Sequence, residues 1–353
     1  MRHLSDLPAP SRRPPRGAPR VVTLGGGHGQ AALLAALLRL DCELTALVSV
    51  ADDGGCSGKL RQELGMAPPG DVRRCLVTLA TAPDAASFEE RLTADGEEGR
   101  CVGNLVLAEM TRDLGSFQRA VDWVGTLLGC QGRVVPVADV AGTLNVYDMV
   151  HGQLSGESHI ERLSGSAMVA SVDGPDAASH EALRAIEGAD FIFMGPGSFV
   201  GSTLAAIVTG NIPDAVARAR GRRVLVRNVR PVERTGFPGA VQYDDQERIL
   251  RDHLVIGSGD ESVTFDVLAH DAHDLGESLR ADGSKELCGP VASNDGRRHD
   301  PARLASVLSY HLKLGHKPAK LPAPANEPAD AEAQAIFHRY LASARARLRG
   351  ACP

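Results

Sequence analysis

The sequence predicts an α/β protein with a doubly wound, mostly parallel, Rossmann-like sheet, helices on both faces and a C-terminal helical extension. Three observations predict it. Short apolar runs recur along the chain, among them Val21-Val22-Thr23-Leu24, Leu44–Val50 and Asp190–Met194. Helical patterns separate them, the alternation of a doubly wound sheet. Several runs pass directly into glycine-rich or polar loops, which gather at the carboxyl edge of a parallel sheet where phosphate-bearing ligands bind.

Arg20–Leu24 reads as the first strand, Gly25–Gly29 as a turn and Ala31–Leu40 as a helix of strong formers. A strand over Leu44–Val50, a short helix over Lys59–Leu64 and a break at Met66–Gly70 follow, and Asp71 is placed to cap a helix to about Leu79. Residues 84–103 are polar and form a loop or irregular insertion. Helices are expected over Leu105–Arg112, Phe117–Leu128 and 177–188, and strands over Arg133–Val137, Asp190–Met194 and Arg223–Asn228. Tyr147–Ile160 reads as a hairpin turning at His151-Gly152. A Pro/Ala-rich stretch after Gly315 leads to a helix over about Ala331–Arg349, with Asp330 as its cap and Arg345, Arg347 and Arg349 suiting the dipole at its end.

Three regions follow: a disordered Arg/Pro-rich tail (1–19), a nucleotide-binding α/β domain (20–315), and an accessory linker and helix (316–353). A protein partner would use the tails. The 353 residues are 43% hydrophobic, ample for a large core. A net charge of −6 and 4% aromatics argue against a nucleic-acid surface. The 7 cysteines are scattered without a CxxC pair, which reads as reduced thiols and no zinc site. No run approaches the ~20 apolar residues of a membrane span, and no signal peptide is evident, so a cytoplasmic location is expected.

Four polar loops carry the chemistry. In Gly25-Gly26-Gly27-His28-Gly29, glycines let backbone N–H groups approach phosphate, with a helix N-terminus behind them; His28 suits either a phosphate contact or a helix cap. In Asp52-Asp53-Gly54-Gly55-Cys56-Ser57-Gly58, either acid could take ribose hydroxyls or hold Mg²⁺ beside phosphates. Arg73 and Arg74 stand near a helix N-terminus, where they need an anion: a ligand phosphate, or an acid such as Asp71. Gly195-Pro196-Gly197-Ser198 is either a second anion nest or a plain turn, and Asn228 ends the next strand, placed to read a base or sugar edge. Asp266, His270, Asp271, His273 and Asp274 form a weaker acid/His cluster.

These segments together resemble the YvcK/CofD-like family. The resemblance rests on Val21–Leu37, Leu44–Ala80, Val102–Thr111, Gly156–Ser158, Ala189–Thr203 and Arg298–Ala305, in that order. The run ADDGGCSGKLRQELGMAPPGDVRR is its most specific part, and PPGDVRRCLVTLA is closer to the YvcK branch. That branch, gluconeogenesis factor, binds UDP-sugars, notably UDP-N-acetylglucosamine, and supports gluconeogenic growth and cell-wall shape. The other branch is 2-phospho-L-lactate transferase of deazaflavin coenzyme synthesis. The resemblance implies a ligand cleft built by Gly26, Gly27, Gly29, Asp52, Asp53, Gly54, Asn104, Gly195, Pro196, Gly197, Ser198 and Asn228. Adjacent His28, Gly55, Ser57, Arg73 and Arg74 complete the expected binding set. A UDP-sugar ligand, a possible Mg²⁺ on Asp52 and Asp53, binding without turnover, and a homodimer follow as expectations. His28, Cys56, Phe199–Ser202 and Val229–Thr235 depart from the family pattern and bear on which sugar is bound.

Overall fold

The structure is a computed structural model that describes residues 17–92, 100–148, 152–160, 168–230, 243–256, 261–316 and 331–348. The first half runs β1 (Arg20–Gly25), α1 (Gly27–Leu37), β2 (Glu43–Val48), α2 (Gly55–Leu64), α3 (Pro69–Leu79), a 3₁₀ turn (Pro83–Glu89), β3 (Arg91–Leu92), β4 (Arg100–Cys101), α4 (Val102–Leu114), α5 (Phe117–Leu127) and β5 (Arg133–Pro136). An antiparallel excursion follows: β6 (Thr143–Asp148), β7 (Gly152–Ser155), α6 (Glu157–Ile160) and β8 (Met168–Asp173). The chain then rejoins the main sheet through α7 (His180–Glu187) and β9 (Phe191–Met194). A π-helical turn (Phe199–Leu204), α8 (Ala205–Ile207), α9 (Ile212–Arg218) and β10 (Arg222–Val226) come next. The rest is α10 (Tyr243–His253), β11 (Val255–Ile256), β12 (Glu261–Ser262), β13 (Asp266–His270), β14 (Gly276–Leu279), β15 (Lys285–Gly289), α11 (Pro301–Leu312) and α12 (Ala331–Leu348).

Eight strands form the main sheet in the order β14-β15-β13-β10-β9-β1-β2-β5, and all neighbours are parallel except β14 against β15. From β1 the chain builds outward through β2 and β5, then returns to the other side of β1 with β9. The crevice between β1 and β9 is therefore the topological switch point of a doubly wound sheet. Sheets covered on both faces need continuous apolar strands: residues 21–25 and 192–194 are buried throughout. Leu24, Leu33, Leu34 and Leu47 lie in the same fully buried core.

Local signals explain the element ends. Ser116, Ser179 and Asp300 accept backbone N–H groups at the starts of α5, α7 and α11. A hairpin forms in this region, but with other bounds than the expected Tyr147–Ile160: its strands β6 and β7 span Thr143–Asp148 and Gly152–Ser155, residues 157–160 are helical, and His151 of its turn lies outside the described residues. No helix among the described residues is long and apolar enough to cross a membrane. Asp330, the Pro/Ala-rich stretch and most of the N-terminal tail lie outside the described residues.

The terminal helix is not an appendage. Ala333, Ile336, Phe337, Leu341 and Ala344 of α12 are buried, and the helix packs mainly on α4. Its arginines make specific pairs rather than only opposing the helix dipole: Arg345 with Glu90 and Arg347 with Glu109.

Candidate functional site

The glycine cluster is only partly a turn. Helix α1 begins at Gly27, not at Ala31, with Gly26 as its N-cap and no side chain capping it. The Gly27 N–H instead donates to the carboxylate of Asp71. Asp71 does not cap its own helix: α3 starts at Pro69 with Pro68 in the cap position. It lies in the first turn of α3 and reaches across to α1, while Arg74 one turn later donates to its Oδ1 at 2.8 Å. The anion at the α1 N-terminus is thus a side chain of the protein itself.

The two adjacent acids diverge. Asp52 Oδ1 accepts the Gly54 N–H at 2.9 Å, the Ser57 hydroxyl also donates to this carboxylate, and Asp52 lines a cleft with Asp71. Burial, and then the neighbouring Asp71, push the Asp52 carboxyl above the usual carboxylate range. Burial also raises Asp71, against the opposing pull of Arg74 and the Gly27 N–H. Asp53 faces elsewhere. Its Oδ1 accepts the N–H of Ser158 at 2.9 Å, pinning the Gly156–Ser158 turn before α6. Of the two acids expected as possible Mg²⁺ holders, Asp52 lines the cleft and Asp53 is engaged with the Ser158 N–H.

The cleft has a volume of about 160 Å³, room for roughly five waters at liquid density. Asp52, Gly54, Gly55, Ser57, Arg73, Arg74 and Asn104 line it as expected, joined by Cys56, Gly70, Asp71 and Arg91. Arg73 is 2% exposed. Its Nε donates to Asn104 Oδ1 at 3.0 Å, its Nη1 donates to the Phe88 carbonyl at 3.4 Å, and it forms an ion pair with Glu89. The Asn104 amide in turn donates to Cys56 Sγ at 3.4 Å. The residue before it, Gly103, is needed for space: a Cβ there would lie 2.5 Å from the Phe88 ring and 2.8 Å from Arg73 Cδ. Of the two readings for the arginines, the acid partners are what the structure shows: Asp71 for Arg74 and Glu89 for Arg73. Arg73 is a buried strut of the cleft wall, and Arg74 stands at its edge.

His28 is the second residue of α1 and does not cap it. It is exposed. The guanidinium of Arg74, partial burial and Arg298 hold its imidazole below the usual range, which keeps it neutral at pH 7.

The loop after β9 lies on the other side of β1. A Cβ on Gly29 would sit 2.3 Å from the Pro196 carbonyl and 2.4 Å from Gly197 Cα, so the two glycine loops touch backbone to backbone. Asn228 spends its side-chain amide on this loop, accepting the Gly197 N–H at 3.1 Å and donating to the Gly197 carbonyl at 2.8 Å. It secures the loop rather than presenting a free edge to a base. Ser198 accepts the Gly201 N–H at 3.2 Å and starts the π-helical turn. Gly26, Gly27, His28, Gly29, Gly195, Pro196, Gly197, Ser198, Asn228 and Asp53 therefore lie outside the lining of this cleft, with Asp71 linking it to the glycine loop.

Among the described residues no group of three or more His, Cys, Asp or Glu side chains is placed to hold a metal. The C-terminal acid/His cluster is dispersed: Asp266 pairs with Arg222 at the start of β13, and Asp271 accepts the N–H groups of His273 and Asp274 in its own turn. Asp52 beside Asp71 is a different case. Mg²⁺ is commonly held by one or two carboxylates with substrate phosphates and water completing its shell. Two half-buried acids whose charged forms destabilise each other fit that donor set.

Asp71 carried a signal in the sequence, an acid in a Pro-Pro-Gly-Asp turn three residues before an arginine. Cys56 stood out only as a departure from the family pattern within its glycine loop, and Arg91 carried no signal, because only the β3–β4 pair brings it to the cleft.

Known proteins resemble this chain in sequence and in fold. A family model described as 2-phospho-L-lactate transferase CofD matches residues 21–299. A gluconeogenesis factor of Bacillus subtilis is 30% identical over 326 residues, covering 84% of this chain and 98% of that protein. One of Halalkalibacterium halodurans is 33% identical over 281 residues, covering 77% and 83%. A crystal structure of a Bacillus halodurans protein superposes with a TM-score of 0.71 at 28% identity, over 82% of this chain and 99% of that one. With the family model matching residues 21–299 and relatives of 30% identity or more covering most of its length, the chain belongs to the CofD family, alongside proteins named gluconeogenesis factor.

Proposed function

We propose that the cleft binds a nucleotide-sugar, with UDP-N-acetylglucosamine the first ligand to test, and that the protein acts as a carbon-metabolism-linked regulator in the manner its relatives' names suggest. The observation that carries this reading is the meeting of Asp52, Asp71 and Arg74 in one cleft at the carboxyl edge of the sheet. In this reading Mg²⁺, when bound, neutralises the ligand's diphosphate, and Asp52 and Asp71 hold it. Arg74 screens the remaining phosphate charge, and His28, kept neutral, offers a hydrogen bond at the rim. Roles in cell-wall shape belong to the same proposal.

The test is a thermal-shift panel with UDP-N-acetylglucosamine, UDP-glucose, UDP, GDP and a deazaflavin precursor, each with and without Mg²⁺. A ligand at 100 Kd stabilises the folded state by about 2.7 kcal/mol. Stabilisation by a UDP-sugar that disappears in Asp52→Ala supports the reading, and the absence of any shift at millimolar UDP-sugar refutes it.

The family description favours a second reading, a phospho-transferase in which the same acids hold Mg²⁺ against an activated phosphoryl donor. Incubating the protein with Mg²⁺, the activated lactyl donor and the deazaflavin alcohol, and looking for coupled product, decides it.

A further inference from the structure

Helix α12 lies beyond residues 21–299, the segment matched by the family model, yet it reaches the wall of the cleft through one intermediate element. It grips the 3₁₀ turn Pro83–Glu89 and the residue after it at three points. His338 Nε2 lies 3.1 Å from Asp84 Oδ2. The Phe337 ring packs on Phe88, with centroids 5.8 Å apart. Arg345 forms a fork to Glu90, with contacts of 2.9 and 2.6 Å, and also donates to the Ser87 hydroxyl at 2.8 Å.

The inner side of that turn supports the cleft. The Phe88 carbonyl accepts from Arg73 and, at 2.9 Å, from the Cys101 thiol. Glu89 pairs with Arg73, whose Nε orients Asn104. Asn104 meets Cys56 on the cleft surface. Arg73 has no water to fall back on, since its side chain is 2% exposed. Its position therefore depends on the turn staying in place, and the turn's outer side is held by α12.

We propose that Phe337 and Arg345 are positioning residues for the ligand cleft: α12 braces the 83–89 turn, and through it Arg73 and Asn104, so ligand affinity depends on a helix outside the family segment. The ligand part of this statement rests on the nucleotide-sugar reading; the brace itself does not. Side chains joined in one hydrogen-bonded network couple in this way, whereas distant ones add independently.

The experiment uses the full chain and two readouts. One is the Kd for UDP-N-acetylglucosamine with Mg²⁺. The other needs no ligand: the alkylation rate of Cys56 by N-ethylmaleimide, followed by peptide mapping, with the partly exposed Cys288 of β15 as internal reference. Arg345→Ala is expected to weaken the Kd and speed Cys56 labelling roughly three- to tenfold, within the range of coupling through such networks. Arg345→Lys is expected to recover part of both. Glu90→Gln should reproduce Arg345→Ala, and the double variant should add little to either. Tyr340→Phe is the control, since Tyr340 bonds Asp113 at the far end of α4 and not the turn. It should move neither readout, whatever it does to the melting temperature. The brace is overturned if Arg345→Ala and Glu90→Gln leave both readouts where Tyr340→Phe leaves them. Faster Cys56 labelling in a protein that binds no UDP-sugar even unmutated upholds the brace and removes the nucleotide-sugar reading. Should Arg345→Ala fail to fold, Glu90→Gln carries the same comparison.

Discussion

Asp71 of α3 accepts the backbone N–H of Gly27, the first residue of α1. The place where a phosphate would meet the α1 dipole therefore already carries a carboxylate. A phosphate approaching this end of the cleft meets a negative charge, which a divalent cation would offset. Removing the charge while keeping an acceptor, as in Asp71→Asn, should make nucleotide binding less dependent on Mg²⁺. The ratio of Kd without Mg²⁺ to Kd with it should shrink by about tenfold, equivalent to one charge interaction of about 1.4 kcal/mol. Titration calorimetry with UDP-N-acetylglucosamine in EDTA and in Mg²⁺ reads this directly; an unchanged ratio counts against an acid-bound metal.

Asp52→Asn should separate function from stability. In the folded protein burial and Asp71 disfavour the ionised carboxylate, so at pH 7 its charge costs free energy. The amide removes that cost, and a gain of up to about 1 kcal/mol is expected, with ligand stabilisation lost. A group with a raised folded pKa costs least at low pH, so the advantage should shrink as pH falls through the raised pKa. Urea titrations at pH 7 and pH 4.5 check the sign: a larger gain at pH 4.5 contradicts it.

Arg73→Met should behave as a core lesion. It leaves Asn104 Oδ1 without its donor in a buried site and the Phe88 carbonyl with the Cys101 thiol alone. Glu89 is half-exposed and can turn to water, so the loss should be about 2–3 kcal/mol, below that for a fully buried pair. Chemical denaturation measures it.

Gly29→Ala tests the contact between the two glycine loops. The new methyl group would overlap the Pro196 carbonyl and Gly197. Neither is a flexible side chain, so the backbone must move, at about 1–3 kcal/mol. Wild-type stability in this variant would mean the loops are not in contact in solution.

The buried His299 predicts an acid-sensitive fold. Burial lowers its imidazole from 6.5 to about 4. Between those values the unfolded chain binds a proton that the folded one does not, so stability falls as pH drops from about 6.5 towards 4. The slope from this group approaches about 1.4 kcal/mol per pH unit. His299→Gln should flatten the stability profile in that window; an unaltered slope would assign the acid sensitivity to other groups.

How much of this was legible in the sequence follows from the range of each interaction. The parallel strands were readable because a sheet covered on both faces demands unbroken apolar runs such as Val21–Leu24. The Asp-Asp-Gly-Gly and Pro-Pro-Gly-Asp loops were readable because residue order alone puts them at strand and helix ends. The different fates of Asp52 and Asp53 were not, since Ser158 is distant in sequence and only the β6–β7 excursion brings its N–H to Asp53. The engagement of Asn228 with Gly197 was equally hidden, as it depends on β9 and β10 lying side by side. Helix α12 was readable as a helix, since its buried residues Ala333, Ile336, Phe337, Leu341 and Ala344 fall at helical spacing, but nothing in the sequence indicates that Phe88 is its partner.

That partnership bears on how the protein is made. Phe88 and Phe337 lie far apart in the sequence, and synthesis runs from the N-terminal side to the C-terminal side. The sheet, α3 and α4 can assemble while later segments are still being translated, but the 83–89 turn receives its outer support only after residues 331–348 have left the ribosome. Closing so long a loop is slow compared with local folding. A nascent chain would therefore pass through a stage with a formed sheet and an unfinished Arg73 wall, which is completed only once α12 has been made and has docked on the turn.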